Sequence, residues 1–575
     1  MDYNSIYESW LSNPLLSAEG IKELNSIKDD EKEKEYRFGG EFAFGTAGMR
    51  GIIGYGTNMM NIYTVRRATK GLADYITGLG VKAAARGVVI SYDTRNNSGV
   101  FALNAAGVLI ASGVQVYLFA EPRPVPMLSF AVRRLKAVAG IMITASHNPK
   151  EYNGYKVYGE DGAQLSPEAT AVIVEKINQI KDIFSVKATE IKEKTTTALL
   201  SYVPASVERR YYRNVLKQRL SPRAVKAVAK KIKIVYTSLH GTGYTPVTTV
   251  LSKMGLKVDI VPEQIPFDGN FPTVEVPNPE DKRALAMGIA LAEKVKADVV
   301  FGTDPDCDRL GVAVRDDKGE FVGLTGNQVG VLLLDYILSR MSQTGKLPDN
   351  AAVVKSFVST NLAKAVCNGY GVKLYETPVG FKFIGEKIKE FEKTGEKFVF
   401  GFEESCGYLR GTYARDKDAV VASMLFAELC CWCEYRGKTV YGMLCDIYSR
   451  FGYVYDVTKS KTYSGLNAMA DMNAVVEKMR ERQPENIYIN NVKAIRDYLS
   501  GEKIYSDGEK EPLEYSGLNC LYYELENGSF ICLRPSGTEP KLKVYYSVCA
   551  ADRDLCIKTY EALSESFEKE YLGWE

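Results

Sequence analysis

Residues 87–120 read GVVISYDTRNNSGVFALNAAGVLIASGVQVYLFA, and this stretch decides the fold class. The short apolar run GVVISY is followed by a helix-like segment, FALNAAGVLIASG, and then by a second β-rich run, VQVYLFA. Short strands that alternate with helical segments are typical of α/β domains. The stretch therefore predicts an α/β fold.

The same order of elements returns twice further along the chain. Residues 232–263 contain IKIVYTSLHGTG, VTTVLSKMG and KVDIVPE, and residues 353–380 contain VVKSFVST, NLAKAVCNG and VKLYETPVG. The spacing between the units varies, so the repeat is structural and has no fixed period. We expect three related α/β domains.

Each unit has a later apolar strand that runs directly into a polar loop. AGIMI is followed by TASHNP (144–149), ADVVFG by TDPDCDR (303–309), and KFVFG by FEESCG (402–407). In open α/β sheets, ligands bind beyond the carboxyl ends of the strands. We therefore expect these three loops to meet at one site.

Asp304, Asp306 and Asp308 form a D-x-D-x-D pattern in the second loop. Three carboxylates in one tight turn repel one another unless a cation neutralises them or water solvates them. An EF-hand is excluded, because its sixth position is Arg309 instead of glycine and its twelfth is Arg315 instead of glutamate. The pattern favours Mg²⁺ or a similar hard cation over a solvated acidic turn.

Ser146 lies at the end of an apolar strand and is followed by His147. Two neighbouring residues rarely form a hydrolase dyad, and no G-x-S-x-G elbow is present. Taken alone, Ser146 is a turn or cap residue. Beside a magnesium loop, a serine that carries a phosphoryl group becomes the better interpretation.

Two further segments suit an anionic ligand. The turn RPSGTEP (534–540) combines a guanidinium, two hydroxyl groups and glycine-exposed N–H groups, which favours phosphate binding over a plain β-turn. The segment FGTAGMRG (44–51) places Arg50 in a glycine-bracketed loop. Glu403 and Ser405 offer an acceptor and a donor suited to sugar hydroxyl groups.

Composition excludes several classes of protein. The chain has 575 residues, 46% of them hydrophobic, and a formal net charge of +2, so it carries no basic footprint for nucleic acid. At about 150 residues per domain, this length predicts roughly four domains. The sequence has no apolar run of membrane-spanning length, and its N-terminus is acidic and polar.

The histidine and cysteine content limits the kinds of metal and redox site that the chain can form. With only two histidines, His147 and His240, three-histidine zinc sites are excluded. The eleven cysteines have no framework spacing, which predicts reduced thiols in a cytoplasmic protein. The pair Cys430 and Cys433 follows an apolar helical run, so we interpret it as buried helix thiols instead of a metal or redox site.

Five motifs, FGTAGMRG, TASHNPKEYNGYKVYG, GTDPDCDR, GFEESCGY and RPSGTEPK, occur in this order between residues 41 and 545. Together they resemble the α-D-phosphohexomutase superfamily, and most closely its phosphoglucomutase branch. The resemblance implies three related α/β mixed-sheet domains and a smaller α+β C-terminal domain around a central cleft. We place the domains at residues 1–205, 206–318, 319–454 and 455–575.

The same resemblance assigns roles to residues. Ser146 is the phosphorylated serine, and its phosphoryl oxygen joins Asp304, Asp306 and Asp308 as Mg²⁺ ligands. Arg50 and Arg309 lie beside the transferring group, and Lys156 or His147 relays the proton, a choice that the sequence leaves open. The residues implied in substrate binding are Thr46, Thr377, Gly380, Lys382, Glu403, Ser405, Lys417, Arg534, Ser536, Gly537 and Thr538.

The implied reaction is the interconversion of glucose 1-phosphate and glucose 6-phosphate, with glucose 1,6-bisphosphate as intermediate and activator. Mannose 1-phosphate or a pentose 1-phosphate is the alternative substrate on the same scaffold. A non-catalytic sugar-phosphate-binding protein and a Mg²⁺-dependent phosphatase are the rivals from other classes. We expect small sugar phosphates as partners, no nucleic acid or membrane, and a monomer or homodimer.

Overall fold

The computed structural model describes residues 2–45, 48–192, 196–464, 467–536 and 540–574. The chain forms two compact units, Met1–Val329 with Gly380–Val440, and Gly330–Val379 with Tyr441–Glu575. Within these ranges no helix combines the length and the apolar character needed to cross a membrane.

The α-helices are α1 (Tyr3–Leu11), α2 (Ala18–Ser26), α3 (Glu31–Phe38), α4 (Ile62–Gly78), α5 (Val81–Arg86), α6 (Ser98–Ala111), α7 (Val125–Leu135), α8 (Pro167–Gln179), α9 (Ala205–Lys217), α10 (Pro222–Val228), α11 (Tyr244–Lys253), α12 (Ala286–Val295), α13 (Gly326–Gln343), α14 (Leu362–Gly369), α15 (Phe381–Thr394), α16 (Ala419–Tyr435), α17 (Val440–Phe451), α18 (Ala468–Arg482) and α19 (Arg553–Ser566). Short 3₁₀ helices span Ile183–Ser185, Pro262–Gln264 and Lys282–Leu285, and a π-helix spans Phe567–Leu572.

The strands are β1 (Gly48–Ile52), β2 (Val88–Tyr92), β3 (Val116–Leu118), β4 (Ala139–Ile143), β5 (Tyr152–Gly159), β6 (Leu200–Tyr202), β7 (Ile234–Thr237), β8 (Val258–Ile260), β9 (Val299–Thr303), β10 (Leu310–Arg315), β11 (Phe321–Leu324), β12 (Ala351–Ser356), β13 (Lys373–Thr377), β14 (Lys397–Glu403), β15 (Gly407–Leu409), β16 (Tyr453–Thr462), β17 (Asn486–Ile487), β18 (Asn490–Asp497), β19 (Glu502–Tyr505), β20 (Lys510–Pro512), β21 (Leu521–Leu525), β22 (Phe530–Pro535) and β23 (Lys541–Ala550).

The first sheet of the first unit has the order β1-β5-β4-β2-β3-β6. Strands β4, β2, β3 and β6 run parallel to one another. At one edge, β5 pairs antiparallel to β4, and β1 pairs antiparallel to β5. Central strands that are buried on both faces read as continuous apolar runs, and AGIMI is fully buried along β4. The strand–helix–strand order predicted over residues 87–120 is confirmed as β2-α6-β3.

The second sheet of the first unit has the order β11-β10-β9-β7-β8 and repeats this mixed pattern. Strand β9 is parallel to β7 and antiparallel to β10, so it occupies the position that β4 has in the first sheet. Strands β14 and β15 form an antiparallel pair in the same unit. Strands β4, β9 and β14 therefore deliver the three polar loops.

Helix α16 is buried along nearly its whole length. Its residues include Cys430, Cys431 and Cys433, all of which are buried free thiols. Burial raises the pKa of Cys431 to about 12, so this thiol stays protonated and unreactive near neutral pH. The prediction of buried helix thiols is confirmed.

The second unit contains the parallel pair β12 and β13 and a large antiparallel sheet of order β16-β23-β22-β21-β18-β19-β20, with β17 paired to β18. Helices α18 and α19 pack on this sheet, and its core includes Tyr523, Tyr546 and Phe567. The C-terminal region is thus β-rich, and the two strands predicted around the turn at 534–540 are β22 and β23.

Candidate active site

Three loops at the ends of β4, β9 and β14 come together in the first unit, as the repeat predicted. We name them the serine loop (residues 144–149), the aspartate loop (303–309) and the glutamate loop (403–407). The Ser146 Oγ atom lies 2.8 Å from Asp304 Oδ2, which joins the first two loops. The Arg309 guanidinium donates to the Ser405 carbonyl at 3.0 Å, which joins the second to the third.

Main-chain hydrogen bonds also fix the positions of the loops. The Leu310 N–H donates to the Cys406 carbonyl at 3.0 Å, and Arg309 pairs with Gly407 as an isolated β-bridge. The Val125 N–H at the start of α7 donates to the Asp306 carbonyl, also at 3.0 Å. Backbone contacts of this kind hold the loops in place whatever their side chains are.

Ser146 is a buried residue in the left-handed region, with φ of 52°. This conformation costs a non-glycine residue roughly 1–2 kcal/mol and needs compensating contacts. Its N–H donates to Thr144 Oγ1 at 2.8 Å, and its hydroxyl lies 3.1 Å from His147 Nδ1. The hydroxyl therefore faces both a carboxylate and an imidazole.

The three aspartates are fully buried, and one carboxylate oxygen from each lies within 4.8 Å of the others. Burial and mutual repulsion raise the pKa values of Asp304 and Asp308. Although burial opposes ionisation at Asp306 too, the Lys156 ammonium, 3.1 Å away, holds the pKa of that carboxyl below its usual value. Such a cluster is strained without a compensating cation.

Two carboxylate oxygens of the aspartate loop indicate whether this loop suits a divalent cation. Asp306 Oδ1 and Asp308 Oδ1 are buried and have no hydrogen-bond partner among the described residues. Buried polar atoms of this kind call for a partner, and a bound cation would supply one. Carboxylate oxygens are the donors that Mg²⁺ prefers, so the aspartate loop fits such a cation.

Two lysines neutralise part of this charge. Lys156 on β5 contacts Asp306, whereas the buried Lys417 ammonium lies 3.1 Å from Asp308 Oδ2 and 3.3 Å from Asp416 Oδ1. These carboxylates raise the pKa of Lys417 against the effect of its burial. Lys417, for which the resemblance implied substrate binding, has carboxylate partners here.

The predicted arginines and the histidine line the same region. Arg309 forms an ion pair with Glu280, and the exposed Arg50 donates to the Asn148 side chain at 3.2 Å. Burial, followed by the repulsion of Arg309 and Arg50, holds the pKa of His147 well below its usual value. The imidazole is therefore in its neutral form at neutral pH.

Glu403 and Gly380 are joined directly. The Gly380 N–H donates to Glu403 Oε1 at 2.7 Å. Burial raises the pKa of Glu403 to about 7, while the Lys417 charge opposes that shift. Lys382 lies on α15 over the Phe383 ring; burial lowers its pKa, and the nearby carboxylates of Glu386 and Glu168 oppose that shift.

The remaining predicted substrate residues divide into two groups. Thr377, Arg534 and Ser536 belong to the second unit, where Thr377 is buried and the Ser536 N–H closes the β22–β23 turn on the Lys541 carbonyl at 2.8 Å. Thr46, Gly537 and Thr538 lie outside the described residues.

Sequence reasoning missed three residues that contact the predicted site. Arg95 and Asp93 follow β2 and bind the serine loop, and Glu280 pairs with Arg309. The signal for the first two was available, because YDTR is a polar run directly after an apolar strand. His240 is not part of the site, since its ring nitrogens bind the Pro266 carbonyl and Thr273 Oγ1.

Profiles of three domain families match the chain in sequence order. These are the phosphoglucomutase/phosphomannomutase α/β/α domains I, II and III, at residues 41–183, 209–319 and 325–451. A protein named phosphoglucomutase from Staphylococcus aureus is 37% identical over 529 residues, which cover 92% of this chain and 93% of the relative. One of the same name from Staphylococcus epidermidis is 37% identical over 543 residues, covering 94% and 96%.

Solved structures share the fold at lower identity. A putative phosphomannomutase from Thermus thermophilus has a TM-score of 0.65 at 23% identity, covering 92% of this chain and 99% of that one. Parafusin, a phosphoglucomutase from Paramecium, has a TM-score of 0.66 at 14% identity, covering 92% and 95%.

Proposed function

The chain belongs to the phosphoglucomutase/phosphomannomutase family, and on that premise we propose that it interconverts glucose 1-phosphate and glucose 6-phosphate. The observation that carries the proposal is the contact between the Ser146 hydroxyl and Asp304 of the buried aspartate cluster. A hydroxyl beside a cation-binding cluster suits a residue that carries a phosphoryl group. The staphylococcal relatives favour glucose as the sugar.

Phosphorylated Ser146 donates its phosphoryl group to the 6-hydroxyl of glucose 1-phosphate. A phosphorus–oxygen bond forms at O6 and the bond to Ser146 Oγ breaks, which gives glucose 1,6-bisphosphate. Ser146 Oγ then takes the phosphoryl group from O1, and glucose 6-phosphate leaves. Phosphoryl transfer depends mainly on positioning and on charge neutralisation, and the three loops supply groups for both.

Asp304, Asp306 and Asp308 would hold Mg²⁺, together with an oxygen of the Ser146 phosphoryl group. When bound, the cation neutralises charge on the transferring group. The unsatisfied oxygens of Asp306 and Asp308 support this assignment. Arg50 and Arg309 add positive charge near His147.

Lys156 or His147 moves the proton of the attacking hydroxyl. His147 contacts the Ser146 hydroxyl directly and is neutral, whereas Lys156 lies against Asp306. General acid–base groups of this kind contribute about 10²- to 10⁴-fold to a rate.

We assign the remaining contacts by family resemblance: Glu403, Ser405, Thr377 and Gly380 to the sugar, and Thr46, Lys382, Lys417, Arg534, Ser536, Gly537 and Thr538 to phosphate or substrate.

The test compares glucose 1-phosphate, mannose 1-phosphate and ribose 1-phosphate, each with Mg²⁺ and a catalytic amount of its bisphosphate. We expect turnover to be fastest with glucose 1-phosphate, measured by phosphorus NMR. Faster turnover of the pentose ester would overturn the sugar assignment. Release of inorganic phosphate without isomer exchange would identify a phosphatase instead.

Mass spectrometry of Ser146 separates an enzyme from a binding protein. After exposure to glucose 1,6-bisphosphate, we expect the Ser146 peptide to gain one phosphoryl group. A chain that binds the sugar phosphate but never labels Ser146 would be a non-catalytic binder.

The eleven free cysteines support a reducing, cytoplasmic location.

A further inference from the structure

Arg95 is a buried arginine that holds the main chain of the serine loop. Its guanidinium donates to the Ser146 carbonyl at 2.6 Å and to the Asn148 carbonyl. The same group donates to the carbonyls of Pro149 at 2.8 Å and Tyr152 at 3.1 Å. One side chain therefore fixes four main-chain oxygens in the segment that carries Ser146.

The peptide groups on both sides of Ser146 are held in this way. Thr144 Oγ1 accepts the Ser146 N–H, and Arg95 binds the Ser146 carbonyl. Because Ser146 has a left-handed backbone, the loop would relax to another conformation without these two contacts. Its hydroxyl would then leave its position beside Asp304.

Asp93 connects the two contacts to each other. Its Oδ2 atom accepts from Thr144 Oγ1 at 2.6 Å and lies 3.4 Å from Arg95 Nε. Its Oδ1 atom accepts the Arg95 N–H at 2.9 Å and the Ser98 hydroxyl at 2.6 Å. Asp93 thus orients both Thr144 and Arg95.

The pair is completely withdrawn from water. The side chains of Asp93 and Arg95 are both 0% exposed, and the Phe271 ring lies 5.0 Å from the guanidinium. Burying two charges is costly, and an apolar pair of similar volume would often be at least as stable. Four of their side-chain hydrogen bonds go to the serine loop, at Thr144, Ser146, Asn148 and Pro149, which points to a role in placing that loop.

We propose that Arg95 and Asp93 are positioning residues that hold the Ser146 hydroxyl in its reactive place, a role that rests on the proposed mutase function. Neither residue contacts the aspartate loop's ligand atoms, and each acts on Ser146 through the backbone or through Thr144, whose Oγ1 atom also lies 3.2 Å from Asp306 Oδ2. Misplacing a reacting atom by about 1 Å can cost about 100-fold in rate without weakening binding.

The test uses the full chain with the variants Arg95→Lys and Thr144→Val. Arg86→Met is the matched control, because Arg86 also donates to main-chain carbonyls, those of Lys136 and Ala137, but away from the serine loop. We expect kcat to fall by about 100-fold in both test variants with KM within about threefold of wild type. We expect near-wild-type kcat for the control.

Hydrogen exchange gives a readout that does not depend on turnover. We expect amide exchange of residues 144–152 to rise at least tenfold in both test variants, while α12 keeps its wild-type exchange. Unchanged exchange in this segment, or a kcat loss that Arg86→Met reproduces, would overturn the inference. An inactive wild-type chain would instead refute the mutase function, and exchange would still decide whether Arg95 holds the loop. Thr144→Val keeps the shape of its residue, so it remains informative if Arg95→Lys fails to fold.

Discussion

The serine loop and the aspartate loop have similar backbones but reach their stability differently. Each follows a buried strand, and each has a non-glycine residue with φ of 52°, Ser146 in one and Cys307 in the other. In the serine loop this residue carries the hydroxyl that lies beside Asp304. In the aspartate loop it is a buried thiol, and the polar side chains lie on either side of it.

The difference lies in which polar groups find partners within the chain. The N–H, carbonyl and hydroxyl of Ser146 all have protein partners. The aspartate loop keeps buried oxygens on Asp306 and Asp308 that have no hydrogen-bond partner within the described ranges. The polar groups of Ser146 are therefore satisfied within the chain, whereas the aspartate loop leaves buried carboxylate oxygens available to a cation.

The largest effect should come from removing the hydroxyl of the serine loop. In Ser146→Ala we expect mutase turnover to fall by at least about 10⁴-fold, because no other group takes over covalent transfer. Turnover is measured by coupled assay with glucose 1-phosphate and Mg²⁺. Ser112→Ala, at the half-buried C-cap of α6, is the control and should retain wild-type turnover. Appreciable turnover in Ser146→Ala would remove the serine loop from the chemistry.

The next effect tests whether the aspartate loop depends on a cation. In Asp308→Asn we expect turnover to fall by about 10³-fold and the Mg²⁺-dependent rise in Tm to disappear, because binding stabilises only the folded state. Tm is measured with EDTA and with excess Mg²⁺. Asp317→Asn, in the exposed turn after β10, should keep the full rise. A wild-type Mg²⁺ shift in Asp308→Asn would show that the aspartate loop does not hold the ion.

A smaller effect is expected from replacing Lys156, whose ammonium group contacts Asp306 of the aspartate loop. In Lys156→Met we expect kcat to fall by about 100-fold, since the variant loses both a candidate proton-transfer group and the charge beside Asp306. Steady-state kinetics measure the change. Lys150→Met, whose side chain is exposed near the serine loop, is the matched control. Equal kcat values for the two variants would leave His147 as the proton-transfer group.

The smallest effect concerns the glutamate loop and appears as a pH dependence of stability. Glu403 has its pKa raised to about 7, so its protonated form is favoured in the folded chain. An unfolded glutamate has a pKa of about 4.3, and the stability contributed by protonated Glu403 is therefore lost as pH rises through about 7. We expect the Tm of wild type minus that of Glu403→Gln to be lower at pH 8 than at pH 5.

Calorimetry of both proteins at the two pH values measures this difference. Gln keeps the size of the side chain and stays neutral, so the remaining pH effects of the chain cancel. A Tm difference that does not change with pH would mean that Glu403 titrates normally.

The strands and the three loops could be predicted because they depend on local pattern. AGIMI corresponds to β4 at residues 139–143, and D-x-D-x-D indicated the aspartate loop directly. The family followed from motifs of the same local kind. The residues that these motifs contact were harder to predict, because the contacts join distant parts of the chain.

Arg95 and Lys417 illustrate that limit. Arg95 contacts a carbonyl 51 residues away in sequence, and nothing in YDTR specifies this partner. Lys417 was assigned to phosphate by resemblance, whereas its placement beside Asp308 depends on how α16 and the aspartate loop pack. Tertiary structure decides which partner a charged residue contacts, and a single sequence does not specify that partner.

The hydrogen bonds between Leu310 and Cys406 and between Val125 and Asp306 have an evolutionary consequence. They join main-chain atoms only, so any amino acid with a free N–H and carbonyl can take part. Side chains at the ends of β9 and β14 can therefore diverge without displacing these contacts, whereas the serine loop meets the aspartate loop through a side chain, that of Ser146. A scaffold held partly by its main chain lets repeated units acquire separate tasks while preserving a single arrangement.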